Sequence, residues 1–298
     1  MHFAGELAAL GTSLCWAAGS NFFATAGLRM GAIILNRLRI TIALVFLTLA
    51  LLATRGAPWP YWATGAQVAL LGASGLVGFV FGDNYYFRSL IILGPGRAAT
   101  LACLAPPMTA IMAVPVLGER LGPAAYLGMA LTLAGVVCTI AERERREHPH
   151  FRGSLAMGIA AGALGALGQA GGYLFSKLAL REGIDPLSAT VIRVAFAAAC
   201  VWMMAAAGRD VARTLGALWS RSATANMIGG AFCGPFLGVT LSLFALAHAE
   251  AGVAASIAAF YPIPTIFISR LVHAEPITTR TLVGATVAIA GIVVLFLR

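Results

Sequence analysis

ERERREHPHFR, residues 142–152, is the one long polar stretch in a chain of 298 residues, and it lies at the midpoint. Apolar runs fill most of the sequence on either side, since 60% of all residues are hydrophobic and only 10% are charged. Soluble domains carry about 25% charged residues, so this composition excludes one long water-soluble domain. The sequence therefore predicts a membrane protein whose two halves are joined by this linker.

The apolar runs are long enough to cross a bilayer repeatedly. A membrane-spanning helix needs about 20 mostly apolar residues, and turn residues such as Gly94-Pro95-Gly96 separate the runs. The predicted spans are ten: 5–27, 31–53, 66–92, 97–117, 122–141, 154–179, 186–207, 225–247, 252–272 and 279–297. The first run lacks a basic segment before it, so it predicts a membrane helix and not a cleaved signal.

The two halves repeat each other at an offset of 156 residues. The matched pairs include Gly82 with Gly238, Gly96 with Gly252, Pro106 with Pro262, Glu119 with Glu275, and Gly128 with Gly284. Residues 1–148 form the first repeat and residues 149–298 the second. Five spans are an odd number, so the second repeat enters the membrane from the opposite side. The fold class predicted is all-α, with two inverted five-helix repeats, an architecture of secondary transporters.

The distribution of the basic residues predicts how the protein is oriented in the membrane. Fourteen of the 20 basic residues fall on the side of the odd-numbered loops, and the positive-inside rule then places those loops in the cytoplasm and both termini outside. The net charge of +9 is explained by this topology, so nucleic acid is not an expected partner.

Enzyme and metal motifs are absent from the sequence. It contains no H-E-x-x-H, Walker A or G-x-S-x-G pattern, and its five cysteines lie singly in apolar runs. We therefore expect no catalytic residue, no metal site and no cofactor.

Asp83 is the only acidic residue well inside a predicted span. It shares a helical face with Phe79 and Tyr86. Charged groups in membrane helices face the protein interior or a water-filled cavity. Two interpretations remain open: a proton or ammonium site, or a buried ion pair with an arginine such as Arg37 or Arg39.

Further polar side chains lie on the first and sixth spans. Trp16 and Ser20 are four residues apart, as are Gln169 and Tyr173, so each pair shares a face. Indole, amide and phenol groups suit a small zwitterion with an apolar side chain. The predicted substrate-binding residues are Trp16, Ser20, Asn21, Phe79, Asp83, Asn84, Tyr86, Gln169, Tyr173, Ser256 and Tyr261.

Prolines recur in register near the middle of the fourth and ninth spans. They are Pro106 and Pro107 in the first half, and Pro262 and Pro264 in the second. Proline removes a backbone donor and kinks a helix, so these residues predict hinges that gate the pathway.

The motifs around the matched glutamates resemble the EamA repeat of the drug/metabolite transporter superfamily. They are Leu117-Gly-Glu-Arg-Leu121 with Leu133-Ala-Gly-Val136, and Glu275 with Ala290-Gly-Ile292. Arg39 and Arg193 match the arginine of the family's second helix. The resemblance implies a multi-pass exporter in the bacterial inner membrane. It also implies cytoplasmic termini, which disagrees with the arginine count.

The function expected is secondary export of amino acids, aromatic or otherwise apolar, and related small metabolites by alternating access. The partners expected are a small-molecule substrate and the lipid bilayer, and proton coupling is left open. One alternative is a multidrug exporter of lipophilic cations, although Glu6, the acidic residue of the first span, lies at the helix start. The other is a membrane-embedded enzyme.

Overall fold

Helices make up the regular structure of the chain. The computed structural model describes residues 4–118, 121–140, 154–248 and 257–296, and these contain no strand. The first half holds α1 (Ala4–Met30), α2 (Ala32–Arg55), α3 (Gly65–Gly75), α4 (Asp83–Leu93), α5 (Pro95–Ala102), α6 (Ala105–Leu117) and α7 (Pro123–Ile140). The second half holds α8 (Leu155–Arg181), α9 (Pro186–Ala207), α10 (Val211–Gly216), α11 (Arg221–Ala231), α12 (Val239–His248), α13 (Pro262–His273) and α14 (Thr279–Phe296).

Helical segments coincide with all ten predicted spans, which confirms the all-α membrane fold. Within the described residues, six are long and apolar enough to cross a membrane: Ala32–Arg55, Gly65–Leu93, Pro95–Val116, Leu155–Arg181, Pro186–Ala207 and Arg221–Ser242. Two shorter apolar helices, Pro123–Thr139 and Thr279–Leu295, correspond to the fifth and tenth spans. The linker, Glu119 and the start of the ninth span lie outside the described residues.

The third and eighth spans each contain a π-helical turn at the same place in the repeat. Leu76–Gly82 joins α3 to α4, and Phe232–Gly238 joins α11 to α12. The two segments are 156 residues apart, which is the offset of the repeat. A π-helix widens the turn and leaves backbone groups for other partners. These turns were not predicted from the sequence.

The fourth and ninth spans are interrupted beside their prolines. A turn at Cys103–Leu104 separates α5 from α6, and a turn over residues 259–261 precedes α13. Each proline pair therefore lies in the first turn of a new helix, where proline N–H groups would have no helical partner. The predicted mid-helix kink is instead a break followed by a restart; whether it gates remains a prediction.

The two halves are interlocked through their first helices. Helix α1 packs against α11, the second π-turn and α12, while α8 packs against α3, the first π-turn and α4. Glycines bring the backbones together: a β-carbon on Gly19 would lie 3.3 Å from the Gly234 nitrogen, and one on Gly168 would lie 2.5 Å from Cα of Gly82. Small residues permit such close helix packing in membranes. The first span of each repeat therefore packs closely against the third span of the other repeat.

Helices α7 and α14 form another contact between the repeats, which is also built on glycine. A β-carbon on Gly135 would lie 2.5 Å from the carbonyl oxygen of Gly284, and one on Gly291 would lie 2.6 Å from that of Gly128. Thr132, between them, donates a hydrogen bond to the Gly128 oxygen at 2.9 Å. The last spans of the two repeats, α7 and α14, thus pack against each other.

Candidate functional site

A buried ion pair lies at the centre of the site. The Arg39 guanidinium on α2 contacts the carboxylate of Asp83 at the start of α4. Gln169 on α8 donates its amide N–H to the other carboxylate oxygen of Asp83 at 2.5 Å. Both charged residues are buried. The structure thus forms the arginine pair that was one of the two interpretations of Asp83.

Aromatic rings surround the guanidinium of Arg39. Its central carbon lies 4.8 Å from the ring centre of Phe87, 5.5 Å from that of Phe23 and 6.0 Å from that of Phe79. The electron-rich ring faces stabilise a cation that has little contact with water. Arg39 is therefore held by a carboxylate and by three rings.

Asn36 connects this pair to the first π-turn. Its amide N–H groups donate to the Phe79 carbonyl oxygen at 2.8 Å and to the side-chain oxygen of Asn84 at 3.2 Å, and its own oxygen accepts from Arg39 Nε at 3.2 Å. Asn36 is fully buried. A wholly buried amide with these bonds holds α2 and the π-turn in fixed register.

A second cluster joins α1 to the break before α13. The rings of Trp16 and Tyr261 pack edge to face with centres 5.9 Å apart. The Ser20 and Tyr86 hydroxyls are hydrogen bonded at 3.0 Å, and the Tyr261 hydroxyl donates to the Ala99 carbonyl at 3.1 Å. The structure therefore brings four predicted substrate-binding residues, from both halves, into contact networks around α1.

Tyr173 and Arg193 complete the site from the side of the second half. The Tyr173 hydroxyl is close enough to interact electrostatically with the Arg193 guanidinium and with Tyr261. Even so, 45% of the Tyr173 surface is accessible. The second half therefore contributes a phenol and a guanidinium to the site.

Two predicted residues differ from this pattern. Asn21 is buried and donates to the backbone oxygens of Ala17 at 2.9 Å and Thr265 at 3.3 Å, so it ties α1 to α13. Ser256 lies outside the described residues.

Asn36 and Arg193 were not among the site residues predicted from the sequence. A signal for Arg193 was present. It is a mid-span arginine at the repeat position of Arg39, whereas the position that matches Asp83 is Val239, which cannot neutralise it.

Comparisons with known proteins agree on a transporter fold. The sequence pattern of the EamA-like transporter family matches the chain twice, over residues 3–141 and 156–297. The aromatic amino acid exporter YddG of Ancylobacter novellus is 34% identical over 86 residues, which cover 29% of this chain and 26% of that protein. The aligned part is thus about a quarter of that relative's length.

A solved structure described only as the crystal structure of a protein resembles the whole chain. The two superpose with a TM-score of 0.60 at 19% identity, covering 99% of this chain and 96% of that one. This likeness shows a shared fold.

Proposed function

Because the chain belongs to the EamA-like transporter family, we propose that it exports amino acids with aromatic or other apolar side chains, and related small metabolites, by alternating access. The bilayer of the bacterial inner membrane is the proposed location. The relative described as an aromatic amino acid exporter supports this substrate class.

The observation that carries the proposal is the composition of the central site. Trp16, Tyr86 and Tyr261 offer ring faces and edges for an apolar side chain, and the Ser20 hydroxyl and the side-chain oxygen of Gln169 offer hydrogen-bonding groups. A few polar groups that orient a ligand among apolar surfaces are typical of small-molecule sites.

Alternating access is supported by the way the repeats meet. The groups of the site come from α1, α4 and α8 and from the turn before α13, so both halves contribute to it. In inverted-repeat transporters the substrate site lies at the repeat interface near the bilayer midplane, and one repeat rocks against the other.

The alternative of a lipophilic-cation exporter receives less support. Such a site needs a carboxylate available to the cation, whereas Asp83 is occupied by Arg39 and Gln169. Asp83 is proposed to shape the site through this network and not to bind substrate charge directly.

Transport by the purified protein in proteoliposomes tests the proposal. Vesicles preloaded with unlabelled phenylalanine should accumulate radiolabelled phenylalanine by counterflow, and tryptophan and leucine should compete. We expect Trp16→Ala to lower the initial rate about tenfold, which corresponds to ~1.4 kcal/mol of lost binding.

Trp219→Ala is the matched control, because Trp219 is 88% exposed in the short turn after α10. Its rate should equal that of the unmodified protein. Absence of counterflow with every one of the 20 amino acids would contradict the proposal. Equal losses in the two tryptophan variants would remove Trp16 from the site.

A further inference from the structure

Arg193 occupies the position in the second repeat that Arg39 occupies in the first. It lies on α9 as Arg39 lies on α2, and both guanidinium groups approach the same ring. The central carbon of Arg193 is 4.7 Å from the ring centre of Phe79, and that of Arg39 is 6.0 Å from it. The two arginines therefore belong to one central site.

Their partners differ. Arg39 is neutralised by Asp83, whereas no described residue forms an ion pair with Arg193. The buried Nε of Arg193 also has no hydrogen-bond partner in the described part of the chain. A guanidinium group stays ionised in proteins, and a charge within a membrane is costly unless it is paired.

The charges of the site consequently do not balance. Arg39, Arg193 and Asp83 together carry one surplus positive charge. The ring of Phe79 and the nearby Tyr173 hydroxyl can reduce the cost of burying this charge, but neither of them is an anion.

The first π-turn packs against the guanidinium of Arg193 without supplying a countercharge. Residue 78 in this turn is a buried glycine, and a β-carbon there would lie 3.6 Å from Nη2 of Arg193 and from Cα of Gly172, and 3.9 Å from Oε1 of Gln169. These are ordinary contact distances, so the turn lies close to the guanidinium. Arg193 itself is half-buried, so part of its surface is accessible.

We propose that Arg193 is the group that binds the carboxylate of the transported molecule, so that this site selects acids and zwitterions over amines. The inference rests on the proposed transport function and adds its charge selectivity. Guanidinium and carboxylate form two parallel charge-assisted hydrogen bonds, and the anion supplies the negative charge that the second repeat lacks.

Binding to the purified full-length protein tests this directly. The probes are phenylalanine, 3-phenylpropionate, which has only the carboxylate, and phenethylamine, which has only the amine. Isothermal titration should show binding of both carboxylates, weakened about tenfold or more by Arg193→Gln. Arg193→Lys should recover part of the affinity, because it restores the charge without the planar fork.

Phenethylamine should bind more weakly than either carboxylate and should be insensitive to Arg193→Gln. Arg221→Gln is the control, since Arg221 is exposed at the start of α11, and it should change no affinity. Equal affinity for phenethylamine and phenylalanine, no binding of either carboxylate, or an unchanged affinity in Arg193→Gln would each overturn the proposal.

Thermal unfolding without ligand separates binding from a structural role. Replacing a half-buried charge that has no countercharge by an apolar side chain removes a desolvation cost, whereas removing one member of a buried pair is strongly destabilising. The melting temperature of Arg193→Met should therefore equal or exceed that of the unmodified protein, while Arg39→Met should melt earlier. Equal decreases in both variants would overturn the assignment of Arg193.

Failure of the two proposals can be told apart. Counterflow of phenylalanine together with binding that does not depend on Arg193 would retain the exporter and reject the carboxylate site. Arg193-dependent binding of 3-phenylpropionate without counterflow of any amino acid would retain the carboxylate site and reject the amino-acid exporter.

Discussion

Both oxygens of the Asp83 carboxylate are bonded to protein side chains, those of Arg39 and Gln169. Replacing Asp83 should therefore change the stability of the fold. Asp83→Asn would leave the buried guanidinium of Arg39 without its countercharge. We expect a loss of about 3 kcal/mol in the free energy of unfolding, measured as an earlier thermal transition in detergent.

The double variant Arg39→Met with Asp83→Leu distinguishes lost pairing from lost packing. Removing both charges together should recover most of the stability lost by the single variant, because an apolar pair leaves no charge buried. A double variant as unstable as the sum of the single ones would contradict the pairing argument.

Asp185, the N-cap residue of α9, gives a prediction on how stability depends on pH. Burial raises the pKa of its carboxyl, but hydrogen bonds from the Ser188 hydroxyl at 2.6 Å and backbone N–H at 3.0 Å, with the Arg55 charge, lower it more. The pKa of Asp185 therefore lies below its ordinary value of 3.8. A lowered folded-state pKa stabilises the fold above the ordinary value, and this contribution is lost as pH falls through the lowered one.

Asp185→Ala should cost about 1 kcal/mol at neutral pH, because it removes the N-cap of α9. The difference in melting temperature from the unmodified protein should shrink as pH falls below about 4. Asp185→Asn keeps a capping oxygen and should lie between the two at pH 7. A difference that stays constant down to pH 3 would contradict the assigned pKa.

At the scale of helices, the boundaries of the spans follow from the sequence, but their interiors do not. The apolar run 31–53 became Ala32–Arg55, since length and hydropathy alone determine such a helix. The π-turn Leu76–Gly82 has no comparable signal, because glycine and apolar residues suit α- and π-turns alike. It depends on bonds made in the folded protein, such as that from Asn36 to the Phe79 carbonyl.

The contact between α7 and α14 gives a prediction at the same scale. Gly135→Ala would place a methyl group 2.5 Å from the Gly284 carbonyl oxygen, so the two helices would have to separate. Overpacking of this kind costs about 1–3 kcal/mol, and an earlier thermal transition would report it. Gly65→Ala, where an added β-carbon meets nothing within 4 Å, should leave the transition unchanged.

At the scale of the whole molecule, the sequence repeats are not separate in space. The first helix of each repeat, α1 or α8, packs against the third span of the other repeat. Buried residues of the two halves also share clusters, such as Phe23 and Leu35 with Met227. The offset of 156 predicted the symmetry but not this exchange, because self-similarity does not say which copy a helix contacts.

The interlocking predicts how the halves behave when the linker is cut. Residues 1–148 and 149–298 expressed separately should each fail to form a monodisperse product, because each lacks the partner of its first helix. Expressed together, they should copurify and support counterflow. A stable first half on its own would contradict the interlocked arrangement.

The candidate site was predictable where a polar residue stands out in an apolar span, as Asp83 and Gln169 do. The charge balance of the site could not be predicted from the sequence. The role of Arg193 follows only from the fold, which brings its guanidinium and that of Arg39 to the same ring, Phe79 in the first π-turn.

In the proposed transport cycle, the surplus positive charge of the described site residues would also make transport sensitive to voltage. Moving one unit charge across the whole bilayer changes its free energy by about 2.3 kcal/mol for each 100 mV of membrane potential. An inside-negative potential therefore favours the empty protein in whichever conformation brings Arg193 electrically nearer the cytoplasm. At the proposed carboxylate site, a bound monocarboxylic acid such as 3-phenylpropionate would cancel that charge, whereas a zwitterionic amino acid, which is neutral overall, would leave it in place. The membrane potential would then act on the empty protein and on its amino-acid complex, and only weakly on its complex with a simple acid.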